Sequence, residues 1–279
     1  MENIKVGVIG LGFVGGSILK SFNEKKIIVK GYDNNKDSDT FEDCLDTDFL
    51  FLCLPTIFDS NINQYDKSII YDVCKDLENN KYNGLVVIKS TVEPLTTIDL
   101  GKKFEKLHFL HNPEFLTAAT AYEDFHNQKH IVLGNYNGSQ EQVDKINNFY
   151  KHFYPNAEIS NCSSTESESM KIFCNTFYSV KIQFFNELFS LCQKNNCNYD
   201  NIVSLMLKND WINPMHTKVP GTDGKISYGG YCFPKDTNAL LQHMKDKNVP
   251  CAVLQSCINE RNLMRKDNTN VKLKEENKI

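Results

Sequence analysis

Short, continuously apolar runs alternate with helix-periodic segments through the first half of the chain. Ile4–Ile9, Ile27–Tyr32, Asp48–Leu54, Leu85–Lys89, Leu107–Leu110 and His130–Leu133 read as strands. Val14–Asn23, Gln64–Asn79, Leu95–Phe104 and Ser139–Phe153 read as the helices between them. Strands that are apolar at consecutive positions are buried on both faces, and their alternation with helices predicts a parallel sheet covered on each side. The expected fold class is α/β, an N-terminal Rossmann domain with a doubly wound parallel sheet.

The pattern changes after about Asn156. Ser163–Asn195 contains no Gly or Pro and carries Met170, Phe173, Phe177, Val180, Phe184, Leu188 and Leu191 at spacings of three or four. That spacing predicts one long central helix. A helix over Tyr199–Leu207, a glycine-rich loop and a helix over Pro234–Lys247 follow, so the second half is mainly helical. The expected division is a Rossmann domain over 1–160, a helical substrate and dimerisation domain over 161–266, and a disordered tail over 267–279. The aromatic surface of the long helix suggests a homodimer.

Composition narrows the class without choosing a chemistry. The chain has 279 residues, 41% hydrophobic and 24% charged, as in ordinary globular proteins. Its formal net charge of −4 supplies no basic field for nucleic acid. No apolar run approaches a membrane span, and the Val6–Gly16 segment lacks the cleavage site of a signal peptide. The ten cysteines are dispersed and form no CxxC pair, which argues for reduced thiols in a cytoplasmic protein and against a metal site.

Gly10-Leu11-Gly12-Phe13-Val14-Gly15 follows a predicted strand and opens a predicted helix, and Asp33 ends the next strand 18 residues after Gly15. In that context a GxGxxG sequence binds a dinucleotide: one glycine turns the chain, one admits the pyrophosphate, and one lets the helix pack closely. The pyrophosphate then meets the helix N-terminus. Asp33 would accept hydrogen bonds from ribose hydroxyls and repel a 2′-phosphate, favouring NAD over NADP. A tight glycine turn without a ligand is the plain alternative.

Further segments occur in a telling order: Leu52-Cys53-Leu54-Pro55-Thr56, Lys89-Ser90-Thr91-Val92, Asn112-Pro113-Glu114-Phe115-Leu116, Lys171-Ile172-Phe173-Cys174-Asn175, and Gly229-Gly230-Tyr231-Cys232-Phe233-Pro234-Lys235-Asp236. Together with the glycine loop they resemble the motif series of the UDP-glucose/GDP-mannose dehydrogenase family, spanning residues 4 to about 265. Two of these segments make chemical sense on their own. Cys232 lies just before a helix whose first turn holds Pro234, where a thiolate is stabilised by the helix dipole and the adjacent Lys235. Lys171 and Asn175, at i and i+4, share a helix face, although a lysine there could simply extend to solvent.

The resemblance implies oxidation of the C6 alcohol of a nucleotide sugar in two hydride transfers to NAD. Cys232 is the implied nucleophile, Lys171 and Asn175 the oxyanion clamp, Asp236 with Thr91 the group that positions water or moves a proton, and Glu114 the carboxylate assisting thioester hydrolysis. Gly10, Gly12, Phe13, Val14, Gly15, Asp33, Pro55, Thr56 and Thr91 are the expected NAD contacts. Phe115, Leu116, Lys171, Asn175 and Gly229 are expected at the substrate. His216, Lys218 and Lys225, in or beside the Val219–Lys225 loop, are further candidates, with a solvated turn as the equal alternative.

Two features depart from the family. A second glutamate usual after N-P-E-F-L is here Ala118, and the chain ends soon after Asn259-Glu260-Arg261, where relatives continue into a third domain. UDP-glucose is the leading substrate, with GDP-mannose or a UDP-N-acetyl-hexosamine as alternatives. A single-hydride β-hydroxyacid dehydrogenase shares the layout but does not need Cys232. A non-catalytic NAD-binding interaction module is the alternative of another class.

Overall fold

The computed structural model describes residues 4–267 and 271–272. They separate into two compact units: residues up to 56 with 66–171, and 57–65 with those from 172 onward. The division falls inside the long helix, eleven residues beyond the boundary expected at 160.

In chain order the elements are β1 (Lys5–Ile9), α1 (Phe13–Glu24), β2 (Ile28–Tyr32), β3 (Phe49–Leu52), β4 (Phe58–Asp59), β5 (Gln64–Tyr65), α2 (Ser68–Asn79), β6 (Leu85–Ile88), α3 (Thr96–Lys103), β7 (His108–His111), α4 (Ala121–His126), β8 (His130–Asn135), α5 (Gln140–Phe153), β9 (Glu158–Ser163), α6 (Ser164–Lys194), α7 (Tyr199–Leu207), α8 (Phe233–Asp246), α9 (Ala252–Met264) and β10 (Val271–Lys272).

The first unit is built on a seven-stranded sheet of order β2-β1-β3-β6-β7-β8-β9. Its continuous apolar strands divide their side chains between two cores. Phe49, Phe51, Leu85 and Val87 join Phe22, Phe125 and Phe149 on one face, and Leu50, Leu52, Val86 and Ile88 join Ile70, Leu77 and Leu100 on the other. This alternation is the period-2 geometry of a strand buried on both sides. The sheet order reverses between β1 and β3, and the chain leaves both strands at the same edge, because Ile9 pairs with Leu52 in parallel register. That edge is where doubly wound sheets bind their ligands.

The sheet is not wholly parallel. β8 pairs antiparallel with β7 through Leu110–Asn135 and His111–Gly134. Residues 112–129 hold a turn and the six-residue α4 in place of a sheet-spanning crossover helix, so the chain re-enters in the opposite direction. β9, unforeseen because Glu-Ile-Ser-Asn-Cys-Ser is polar and half-exposed, continues the sheet parallel to β8. The helix expected over Gln64–Asn79 starts only at Ser68, since Gln64 and Tyr65 form an antiparallel pair with β4.

The second unit holds the small sheet β10-β4-β5, helices α7–α9 and most of the 31-residue α6. One core gathers Phe58, Tyr65, Ile172, Leu240, Leu241, Leu254 and Ile258, and another gathers Phe185, Tyr199, Val203 and Val219. α9 was not expected: its inward positions are Leu254, Cys257, Ile258 and Arg261, and a buried arginine breaks the apolar stripe. Val271 and Lys272 pair with Phe58 and Asp59, contrary to the disorder expected there. Residues 268–270 and 273–279 of that tail lie outside the described residues.

Candidate active site

The first unit presents the dinucleotide loop as expected from its glycines. Gly10 adopts φ +87°, a left-handed conformation that favours glycine. A Cβ on Gly15 would lie 1.9 Å from the Gly10 carbonyl oxygen, so the helix can approach the strand only with glycine there. Gly12 differs: a Cβ there would meet nothing within 4 Å. It is the N-cap of α1, where no side chain caps the helix, so the positive end of the helix dipole faces the loop. These features fit the pyrophosphate of a dinucleotide. Phe13 is exposed and Val14 half-buried against the core. The Asp33 carboxylate accepts from the Leu11 N–H at 2.8 Å and the Asn35 N–H at 3.0 Å, fixing its position beside the loop. Lys36, unforeseen, donates to the Leu11 carbonyl.

The loops after β3 and β6 are tied together. Ser90 Oγ accepts from the Leu54 N–H at 2.9 Å and donates to the Leu54 carbonyl at 2.7 Å, and Thr56 Oγ1 donates to the Thr91 carbonyl at 2.8 Å. Thr56 and Thr91 are buried, whereas Pro55 is exposed.

Beyond β7 the N-P-E turn sits in a buried polar network. Asn112 Oδ1 accepts from Tyr150 Oη at 2.6 Å and from Lys89 Nζ at 3.2 Å, while its amide donates to the Val132 carbonyl at 2.8 Å. Glu114 Oε1 pairs with Lys171 Nζ at 3.2 Å, with side-chain exposures of 10% and 6%, and Glu114 Oε2 accepts from the Leu116 N–H at 2.6 Å. The Lys171 ammonium also lies 5.0 Å from the centre of the Phe115 ring. Phe115 is 42% exposed and Leu116 packs against the core. Thus the structure joins Lys171 to Glu114 and Phe115. Ala118 lies exposed on the following turn.

Lys89, read in the sequence only as a strand end, is 2% exposed. Burial pushes its ammonium down to about 8, Cys53 and Glu114 working in the opposite direction. Lys89 also lies within electrostatic reach of His111, which burial holds neutral with a pKa of about 3.

In the second unit, Asp236 is fully buried at the start of α8. Its Oδ1 accepts from Tyr65 Oη and from Lys235 Nζ, each at 2.5 Å, and its Oδ2 accepts from the Asn175 amide at 2.6 Å. The Lys235 ammonium lies 4.5 Å from the Tyr65 ring centre. Sequence reasoning placed Lys235 beside Cys232; the structure pairs it with Asp236. Tyr65 was missed because its position read as helix.

Cys232 is an exposed cysteine at the N-cap of α8, with Pro234 in the first turn. Among the other nine, only Cys197 is exposed. His216 packs its ring 5.0 Å from Tyr178 and 5.7 Å from Phe233, the neighbour of Cys232, and burial lowers its pKa, Lys181 adding to the effect. Lys225 is engaged with Asp267 at 3.2 Å, and Lys218 is exposed. Gly229 has a structural cause: a Cβ there would lie 2.1 Å from the Arg265 guanidinium, which bonds Asp223 and Asp267. No cluster of three or more His, Cys, Asp or Glu side chains among the described residues is arranged to hold a metal ion.

Both units have counterparts among known proteins. Residues 37–154 match the NAD binding domain of the UDP-glucose/GDP-mannose dehydrogenase family, and residues 165–262 match its central domain. A UDP-glucose 6-dehydrogenase of Campylobacter jejuni is 27% identical over 94% of this chain and 73% of its own length. One from Streptococcus pneumoniae is 27% identical over 76% of this chain, which spans 54% of that relative. The structure of a UDP-glucose dehydrogenase from Pyrobaculum islandicum superposes with a TM-score of 0.83 at 22% identity, covering 94% of this chain and 69% of that one.

Proposed function

Because the chain belongs to the UDP-glucose/GDP-mannose dehydrogenase family, we propose that it is an NAD-dependent oxidoreductase that converts the C6 alcohol of a nucleotide sugar to the uronic acid, with UDP-glucose as substrate and UDP-glucuronate as product. The observation that carries this reading is the exposed Cys232 thiol at the head of α8 in a chain whose dinucleotide loop is built for a pyrophosphate. A single-hydride alcohol dehydrogenase has no use for such a thiol.

NAD, when bound, accepts a hydride in each oxidation. Gly10, Gly12 and Gly15 admit the pyrophosphate, Asp33 takes the ribose hydroxyls, and Phe13, Val14, Pro55, Thr56 and Thr91 line the remainder. The Cys232 thiolate adds to the C6 aldehyde to give a thiohemiacetal, whose oxyanion Lys171 and Asn175 stabilise. The Asp236 carboxylate holds the Asn175 amide by one N–H and leaves the other to donate. Loss of the second hydride leaves a thioester on Cys232. Water, positioned with Thr91 and Asp236 and assisted by Glu114, cleaves it to the carboxylate and frees the thiol. Covalent capture keeps the aldehyde from escaping between oxidations.

Phe115, Leu116, Gly229, His216, Lys218 and Lys225 are assigned to the sugar and diphosphate. The exposed Phe173, Phe177, Phe184 and Leu191 of α6 form the face of a homodimer in a cytoplasmic protein, which a monomer mass by light scattering at micromolar concentration would overturn.

The test is stoichiometric. With limiting UDP-glucose and excess NAD, two NADH per sugar are expected, falling to slow partial turnover in Cys232→Ser. One NADH per sugar, or no effect of the substitution, would sink the covalent mechanism. No NADH from UDP-glucose but turnover of GDP-mannose or a UDP-N-acetyl-hexosamine would move the assignment to that sugar.

A further inference from the structure

Lys89 and Asn112 each stand one residue past a register pair of neighbouring strands, Ile88 with His111. The Lys89 side chain is buried and donates to Asn112 Oδ1 and to the Pro113 carbonyl, each at 3.2 Å. Both acceptors are uncharged, and no carboxylate lies within 4.0 Å of the ammonium among the described residues. A buried ammonium without a carboxylate is rare, because its desolvation is not offset by a counter-charge. Here it bonds the residue immediately before Glu114, and it begins the segment that carries Thr91 two residues later.

The surroundings give that charge a consequence. Lys89 and Lys171 are two cations with Glu114 as the carboxylate between their segments, so the buried cluster carries one surplus positive charge when all three are ionised. We propose that Lys89 is a positioning residue whose ammonium sets the turn bearing Glu114 and supplies the surplus positive charge that favours oxyanion formation, and that loss of its proton ends activity at alkaline pH. This rests on the oxidation proposed above.

Charge-assisted hydrogen bonds are roughly twice as strong as neutral ones, so deprotonation loosens both the Asn112 and the Pro113 contact as it removes the charge. The groups facing Lys89 are Cys53 after β3, His111 on β7, Glu114, Lys171 on α6 and, through Asn112, Tyr150 on α5. Burial lifts the Cys53 thiol to about 12 and holds the Tyr150 hydroxyl well above its ordinary range, and His111 stays neutral from about 3 upward. None of these three changes protonation between pH 7 and 10. Lys89, at about 8, does.

The experiment uses the full chain with NAD and UDP-glucose, comparing the pH dependence of kcat for wild type, Lys89→Arg and Lys89→Met. Wild type is expected to lose kcat above about pH 8. Lys89→Arg, charged at every accessible pH, is expected to keep activity and push that limb up by more than one pH unit. Lys89→Met is expected to lose about a hundredfold in kcat below pH 8, the scale of a displaced catalytic group, with less effect on KM. An alkaline limb unmoved in Lys89→Arg, together with unimpaired kcat in Lys89→Met, overturns the proposal. A second measurement needs no turnover: the lysine ε-carbon resonance absent from Lys89→Met is followed through pH in wild-type protein. Titration near 8 supports the proposal and titration above 10 overturns it. A wild type that oxidises no nucleotide sugar fails the reading beneath it instead, and the resonance still decides the charge on Lys89.

Discussion

The two polar clusters that hold the candidate catalytic groups solve the same problem in opposite ways. Around Asp236 the charge is balanced. A fully buried carboxylate takes three hydrogen bonds from Tyr65, Lys235 and Asn175, one of them from an ammonium 9% exposed. Around Asn112 the charge is unbalanced. Lys89 rests on neutral oxygens, and the cation–carboxylate pair nearby is Lys171 with Glu114. A balanced buried pair holds its members in fixed positions. An unbalanced cation is costly and titratable, and it is kept where a reaction develops negative charge. On this view the Asp236 cluster holds Asn175 in place beside its proposed part in positioning water, and the Asn112 cluster is the electrostatic part of the machinery.

The largest effect that can break this contrast is in the balanced cluster. Asp236→Asn keeps the side-chain shape but leaves the Lys235 ammonium buried without its carboxylate. Removing one partner of a buried ion pair costs about 3–5 kcal/mol. Urea unfolding should show a loss of that size, with kcat falling as Asn175 loses its orientation. A loss below about 1 kcal/mol would mean the pair is solvated and does not hold Asn175 in place.

A smaller, pH-dependent effect is expected from Lys89. Burial places its pKa in the folded chain at about 8, below the ordinary 10.5. Under pH 8 the ammonium is protonated in both folded and unfolded chains, and the cost of burying it is present in full. Between 8 and 10.5 the unfolded chain holds the proton and the folded chain does not, so stability rises with pH through that window. The rise attributable to Lys89 is up to about 3 kcal/mol, at about 1.4 kcal/mol per pH unit. Cysteines and tyrosines with raised pKa values pull the other way, so the measured quantity is the difference between wild type and Lys89→Met in unfolding free energy at pH 7.5 and 10. A difference that does not change with pH would return Lys89 to the class of balanced residues.

The contrast also explains what the sequence made legible. Apolar runs located every strand of the seven-stranded sheet from β1 to β8 within a few residues, because β3 and β6 are buried throughout and the others keep an apolar stretch against the helices. The glycine loop was legible for a similar reason: Gly10 and Gly15 are dictated by φ and by a 1.9 Å approach. The parts that escaped are those fixed by non-local contact. β9 has no apolar run, and β4 and β5 are two-residue strands that exist only through their pairing. Tyr65 meets Asp236 across 171 positions of sequence, and nothing local marks it. Lys89 stood inside a recognised motif, yet a lysine at a strand end ordinarily points to water. Only the structure shows it buried on Asn112 and Pro113. Lys225, expected at the substrate, is paired with Asp267, and at Gly229, also expected there, a Cβ would meet the Arg265 guanidinium.

The same distinction between groups the chain requires and groups left for a ligand recurs within the glycine loop, where the expected effect on stability is smallest. Gly15 has no room for a side chain, whereas Gly12, at φ −68°, is in a conformation open to other residues and faces empty space. Gly12→Ala should therefore change unfolding free energy by no more than about 0.5 kcal/mol, the range for a surface position without special geometry. The methyl group would nonetheless stand where the pyrophosphate must approach the backbone, so NAD affinity should fall at least about tenfold, or 1.4 kcal/mol. Calorimetric titration with NAD, beside thermal unfolding of the same two proteins, separates the outcomes. Weakened binding at unchanged stability means that Gly12 is kept for the ligand. Unchanged binding would mean that the space beside Gly12 is not where the pyrophosphate lies, and the loop would then owe its glycines to the fold alone.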